Sequence, residues 1–264
     1  MNLIQTELWL DYMSKSRSIR IVFTEGGKGG VGKTEFAVCL ATWYRRQNIR
    51  PQLIDFGAEA NTKGCLQSFL PRAAKLDSSK AGALDHFFAG LDDHEGVILA
   101  DMNAGAGVAM RDWIERVDDE TNELNIRFTA VCVTTNDPDA IHSVLQSAKR
   151  FQDKVDYLIV LNRMRDPRCD FRYWHQSAEV AEFVRVLQPT VIEMRSRDGR
   201  FQAEARNYAL TLEDIMNRKA EPTFFHYTRN VAHARHCLRQ IYRELGNAAG
   251  ILLPTSVSPE PICI

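Results

Sequence analysis

The stretch Thr24–Ala37, TEGGKGGVGKTEFA, places five glycines and two lysines within the ten residues from Glu25 to Thr34. Inside it, Gly27 to Thr34 reads G-x-x-x-x-G-K-T. Glycines allow the backbone to curl until several N–H groups face one anion. An apolar run, IRIVFTE, leads into the loop, and a helical pattern, KTEFAVCLATWYRRQ, leads out of it. The start of that helix adds its partial positive charge at the same point. Strand, glycine loop and helix in this order form a phosphate-binding loop. Its lining is Gly27, Lys28, Gly29, Gly30, Val31, Gly32, Lys33, Thr34 and Glu35. Lys33 is expected to reach the β- and γ-phosphates of a nucleotide, and Thr34 to ligate Mg²⁺. A second site of this chemistry is GVILADMNAGAG: an apolar strand ending in Asp101 puts a carboxylate at a strand's carboxyl end, facing the metal.

The elements that must position these groups are legible as an alternation. IRIVFTE, PQLIDFG, GVILADMN, FTAVCVTTN, DYLIVLNR and PTVIEMR are short runs rich in Val, Ile, Leu and Phe, each ending in polar residues. Runs of this kind are strands buried on both faces, as in a parallel sheet. Helical patterns lie between them. The first puts Phe36, Leu40 and Tyr44 on one face. DPDAIHSVLQSAKRFQ opens on an Asp-Pro cap and places Ile141, Val144, Leu145 and Ala148 together. QSAEVAEFVRVL and RNVAHARHCLRQIYREL are further helices. The expectation is an α/β fold with a doubly wound, mostly parallel sheet flanked by helices, of the P-loop NTPase class. It forms a single domain over 1–264, with a helical extension over 1–17 and a loose, proline-containing tail over 248–264.

Bulk properties narrow the setting. The 264 residues are 45% hydrophobic and 25% charged, enough for one sizeable core. A formal net charge of -1 gives no global basic field toward nucleic acid or membrane. No run of 18 apolar residues exists, so no segment is expected to span a bilayer. Six cysteines without a C-x-x-C pair point to a reducing, cytoplasmic setting and to no zinc or iron–sulfur framework.

Lys28, at the start of K-G-G-V-G-K-T, narrows the class. The motif resembles the deviant phosphate loop of the ParA/MinD family of ATPases, the group that includes nitrogenase iron protein and Mrp-type scaffolds. The resemblance implies ATP and Mg²⁺ as ligands and an ATP-sandwich homodimer. In that dimer Lys28 would reach the partner's phosphates and neutralise charge in the transition state. It extends over roughly residues 19–245. In LIDFGAEAN, Asp55 matches the family's first aspartate, which supports Mg²⁺ through water. Gly57 stands where the second, water-positioning aspartate belongs. Glu59 and Asn61 follow, so a displaced carboxylate could substitute, although a shift of two residues is normally severe for water activation. Asn162 and Arg163, in YLIVLNRMRD, resemble the family's adenine-contacting position. Asn162 offers a donor and an acceptor to a base edge, and Asn is also a common turn former at strand ends. Met194 and Arg195 fall in the family's last nucleotide-contacting segment, without its frequent proline.

Other groups are open to more than one reading. His233 and His236 are three residues apart on one helix, a spacing for a metal or for an ordinary surface pair. Phe171, Tyr173 and Trp174 suit either a stacking loop or packing. Arg235, Arg239 and Arg243 recur at one-turn intervals, as a stripe following phosphates or as a solvated face. The resemblance favours non-specific DNA binding through that stripe, or a partner protein. No membrane attachment is expected, because the LLPTSVSPEPICI tail has three prolines and no Lys or Arg with which to form a basic amphipathic helix. The expected function is an ATP-dependent switch with slow or partner-stimulated hydrolysis. Its job would be plasmid or chromosome partition, conjugative transfer or positioning of a cellular machine. The alternative is a pseudo-ATPase subunit that binds nucleotide without turnover. A metal-cluster scaffold lacks its C-x-x-C, and a small-molecule kinase lacks a readable second site.

Overall fold

The structure is a computed structural model that describes residues 18–26, 28–56, 64–77, 82, 95–102, 106–116, 125–164, 166–255 and 257. The extension over 1–17 and Gly27, Gly57, Glu59 and Asn61 lie outside the described residues. Seven strands are described: β1 (Ile19–Glu25), β2 (Gln52–Asp55), β3 (Ala74–Lys75), β4 (Gly96–Asp101), β5 (Ile126–Thr134), β6 (Asp156–Asn162) and β7 (Thr190–Met194). They form one sheet in the order β3-β2-β4-β1-β5-β6-β7, and every pairing is parallel. The six apolar runs are all strands, within a residue or two of their expected ends. The two-residue β3 carries no pattern of its own and is defined by its pairing with β2.

The helices are α1 (Lys33–Arg46), α2 (Leu66–Phe69), α3 (Ala106–Arg116), α4 (Pro138–Phe151), α5 (Arg172–Gln176), α6 (Ala178–Leu187), α7 (Gly199–Asn207), α8 (Leu212–Met216), α9 (Thr223–His226), α10 (Thr228–Asn247) and α11 (Ala249–Leu252). Strand residues alternate between two cores. Ile21 and Phe23 of β1 point into one, with Trp113 of α3 and Ile141 of α4. Val22 points into the other, with Phe36, Leu40 and Tyr44 of α1 and Ile241 of α10. All of these are at most 5% exposed, and burying a side chain of this size contributes about 1.5–3 kcal/mol. Helix α1 is buried on more than the expected face, because Ala37 and Val38 pack with Leu66 and Ala73. The cap expected for α4 is present: the Asp137 side chain accepts from the backbone N–H of Asp139 and Ala140, and Pro138 opens the helix.

β1 lies between β4 and β5, so the chain leaves it toward one edge and later continues toward the other. The loop after β1 thus sits where connections diverge, the place where open α/β sheets bind ligands.

The segment expected to be loose from 248 onward is packed through Leu253. Ile251-Leu252-Leu253 precede the first proline of the tail and carry the apolar surface. Leu252 is 0% exposed and Leu253 2%. Arg20, buried at the opening of β1, donates to the Leu253 carbonyl (3.3 Å) and to Asp156 Oδ2 (2.5 Å). The Tyr44 hydroxyl donates to the Leu252 carbonyl at 2.7 Å. Residues 256 and 258–264 lie outside the described residues. Replacing Tyr44 with Phe leaves that buried carbonyl without its partner. The expected loss is about 1–3 kcal/mol, read as a lower urea midpoint at unchanged slope; an unchanged midpoint would mean that the clasp is not stabilising.

Candidate nucleotide-binding site

The glycine loop runs from the end of β1 into the N-terminus of α1. Gly26, Gly30 and Gly32 have φ of 124°, 78° and 100°, values that side-chain-bearing residues rarely adopt. Gly32 is doubly constrained: a Cβ there would lie 2.5 Å from Asn162 Nδ2. Asn162, 2% exposed, donates from Nδ2 to the Val31 carbonyl (2.8 Å) and to Met164 Sδ (3.1 Å). Its Oδ1 accepts from the Met164 N–H at 2.9 Å. The side chain therefore braces the loop from behind, and both ends of its amide engage protein, whereas the expected role was contact with a base edge. Arg163 turns aside: its guanidinium pairs with Glu193 (2.7 Å) and lies over the Phe171 ring.

Lys33 lies along the loop and donates to the carbonyls of Gly26 (2.8 Å) and Lys28 (3.3 Å). Burial lowers its pKa, opposed by the charges of Asp101 and Glu25. Lys28 extends the other way, to Asp137 Oδ2 at 2.6 Å and Asp139 Oδ2 at 3.4 Å. The hydrogen bond to Asp137 raises the Lys28 pKa, and the same bond lowers that of Asp137. Glu25, the last residue of β1, is 6% exposed and accepts from Ser147 (3.0 Å) and Arg150 (3.2 Å) of α4. Helix α4 thus holds the loop at its base through Glu25 and at its flank through Lys28.

Asp55 and Asp101 end neighbouring strands and are direct register partners, at 2% and 6% exposure. Thr24 Oγ1 donates to Asp101 Oδ1 at 2.8 Å, and Thr34 also hydrogen-bonds Asp101. Asp55 Oδ2 accepts from the Gln67 N–H at 2.9 Å. Burial pushes the Asp101 pKa up to about 6, opposed by the Thr34 and Thr24 hydrogen bonds and reinforced by Asp55. A hydroxyl and two carboxylates are hard oxygen donors, and the charge of Asp101 is incompletely compensated. That set fits Mg²⁺, which binds through one or two carboxylates, waters and phosphate oxygens. Thr34, Asp55 and Asp101 would hold it, and when bound it would neutralise charge on the phosphates. Among the described residues no group of three or more His, Cys, Asp or Glu forms another metal site.

The profile of the CobQ/CobB/MinD/ParA nucleotide binding domain matches residues 22–204. The chain belongs to this family. No curated protein matches it in sequence. Similar solved structures include apo McdA from Cyanothece, with 12% identity, a TM-score of 0.46 and coverage of 86% of this chain and 99% of that one. An ATP complex of a Cyanothece McdA variant shows 12% identity and a TM-score of 0.46 over 88% and 98%. The pNOB8 ParA shows 14% and 0.42 over 87% and 99%. As a MinD/ParA-type nucleotide-binding domain, the chain carries the described part of its phosphate loop at the position the sequence indicates.

Of the remaining candidates, His233 meets the Phe201 ring and Cys237, while His236 lies 3.1 Å from Arg195. Phe171 and Trp174 are buried in packing, and Tyr173 is exposed. Arg235, Arg239 and Arg243 are exposed along α10 as the one-turn spacing requires. Sequence reasoning missed the Glu25–Arg150 and Lys28–Asp137 contacts and the pairing of Glu35 with Arg197. These partners lie 109 to 162 residues apart in sequence and meet only through the fold; their one local sign is an acid beside a phosphate loop.

A carboxylate with a raised native pKa destabilises the fold once it ionises. In metal-free protein this cost sets in above the unfolded value and is complete above about pH 6, and it corresponds to about 3 kcal/mol. Asp101→Asn should therefore match the parent at about pH 4 and exceed it by up to about 3 kcal/mol at about pH 7 in urea unfolding. Mg²⁺ should stabilise the parent and not the variant. Equal stabilities at both pH values would show that Asp101 ionises without penalty.

Proposed function

We propose that this chain is an ATP-binding switch of the ParA/MinD kind that works as an ATP-sandwich homodimer with slow or partner-stimulated hydrolysis. The observation that carries this reading is the convergence of Lys33, Thr34, Asp55 and Asp101 at the carboxyl ends of β1, β2 and β4. Lysine, metal donors and helix N-terminus there suit a triphosphate with Mg²⁺. Lys28 is held within its own subunit by Asp137; in the dimer it would exchange that partner for the phosphates of the second copy. Gly57, in place of a water-positioning carboxylate, favours slow turnover. It also favours the second reading, a subunit that holds ATP and does not hydrolyse it. The exposed arginines of α10 suit a salt-sensitive contact with DNA phosphates or an acidic partner protein.

The test is phosphate release from ATP by the purified chain, with and without duplex DNA, beside Lys33→Ala. Turnover above that variant, rising with DNA and suppressed by salt, is expected for the switch. ATP binding and dimerisation without turnover would select the second reading. Equal ATP affinity in the parent and Lys33→Ala would overturn the loop assignment.

Lys28→Ala should spare ATP binding by the monomer and weaken ATP-dependent dimerisation in sedimentation by roughly tenfold or more, the scale of a lost charge-assisted contact. Dimerisation equal to the parent's would remove Lys28 from the interface.

A further inference from the structure

A cavity of about 580 Å³ opens beside the glycine loop, within the range of small-molecule sites. Its lining includes Gly32, Lys33 and Thr34 of the loop and helix start, and Val38, Met164 and Phe201. Glu35, in the first turn of α1, lines the same cavity. An acidic side chain is out of place next to a triphosphate, since the two anions repel. The structure resolves this with a second charge. Arg197, on the connection from β7 to α7, donates from Nη1 to Glu35 Oε1. Its side chain is 5% exposed, and Nη2 is set against Cys39 Sγ (3.6 Å) and Met194 Sδ (3.8 Å). Sulfur accepts hydrogen bonds weakly, so Glu35 is the strong partner of this guanidinium among the described residues.

The Glu35 side chain remains 32% exposed. One of its carboxylate oxygens engages Arg197, and the other has no hydrogen-bond partner among the described residues. It is an acceptor held by a fixed cation at the wall of a cavity. We propose that Glu35, positioned by Arg197, determines specificity for the sugar: its unpaired carboxylate oxygen accepts a hydrogen bond from a ribose hydroxyl of the bound nucleotide. This rests on the nucleotide reading above. A nucleotide with its phosphates on Lys33 and Thr34 places its ribose next in line, and Glu35 is the next residue of the helix. A vicinal diol supplies two donors to one carboxylate, the chemistry by which acidic residues hold ribose in dinucleotide folds. Arg197 keeps the pair neutral overall, so that the carboxylate can read the sugar without repelling the phosphates.

The experiment measures affinities of the full chain with Mg²⁺ for ATP, 2′-deoxy-ATP, 3′-deoxy-ATP and ITP. It compares the parent, Glu35→Gln, the double variant Glu35→Met/Arg197→Met, and Lys33→Ala. The double variant removes both charges together, which buried pairs tolerate better than loss of one partner. The parent should prefer ATP to at least one deoxy analogue by roughly tenfold, as expected for a hydrogen bond to a charged acceptor. That ratio should shrink in Glu35→Gln and approach one in the double variant. In Lys33→Ala all affinities should fall together with the ratio kept. A ratio near one in the parent, or one unchanged by either substitution at Glu35, overturns the proposal. So does a change confined to ATP against ITP, which would assign Glu35 to the base. A parent that binds none of these nucleotides fails the nucleotide reading itself.

Discussion

A loop that binds phosphate through backbone N–H groups has few side chains with which to hold its own shape. Everything at this site depends on that constraint. The left-handed glycines permit the curl and do not enforce it. Enforcement comes from outside the loop. Asn162 takes the Val31 carbonyl and fills the space a Cβ on Gly32 would need. Lys33 fastens two loop carbonyls, and Asp137 holds Lys28. The end of β6, the start of α1 and the start of α4 together fix one short segment, and their positions are set by the central place of β1 in the sheet.

The same sheet brings the acids together. Parallel pairing of β2 with β4 puts Asp55 opposite Asp101, and burial of both creates an electrostatic strain. Burial is the main cause of the raised Asp101 pKa, and the charge of Asp55 adds to it. A divalent cation bound there would offset such a strain. This is a common relation between binding machinery and fold stability. Glu25 and Glu35 add two further acids close to the loop, each answered by an arginine, Arg150 and Arg197. The acids that flank the loop are thereby paired with arginines, and the two loop lysines are held by Asp137 and by loop carbonyls.

Helix α4 and its cap hold the loop at two points, Glu25 and Lys28. Its cap residue Asp137 serves the helix N–H groups with one oxygen and Lys28 with the other. Its third and fourth turns hold Glu25 through Ser147 and Arg150.

The sequence by itself determined the class of fold, six of the seven strands, the main helices between them, the place of the glycine loop and the strand-end Asp101, with Asp55 entering through the family resemblance. Those features are local: periodicity of apolar residues, glycines at fixed offsets and a carboxylate ending a buried run. It also made the early tail residues look loose, because three prolines hide the fact that Ile251–Leu253 precede them and dock beneath Arg20 and Tyr44. Only the tertiary structure decided which partner each buried polar group takes. Asn162 is placed to brace a loop that lies 131 residues earlier, and Arg197 meets a glutamate 162 residues away. Such pairings depend on which strand ends lie side by side, and that order is a property of the whole sheet.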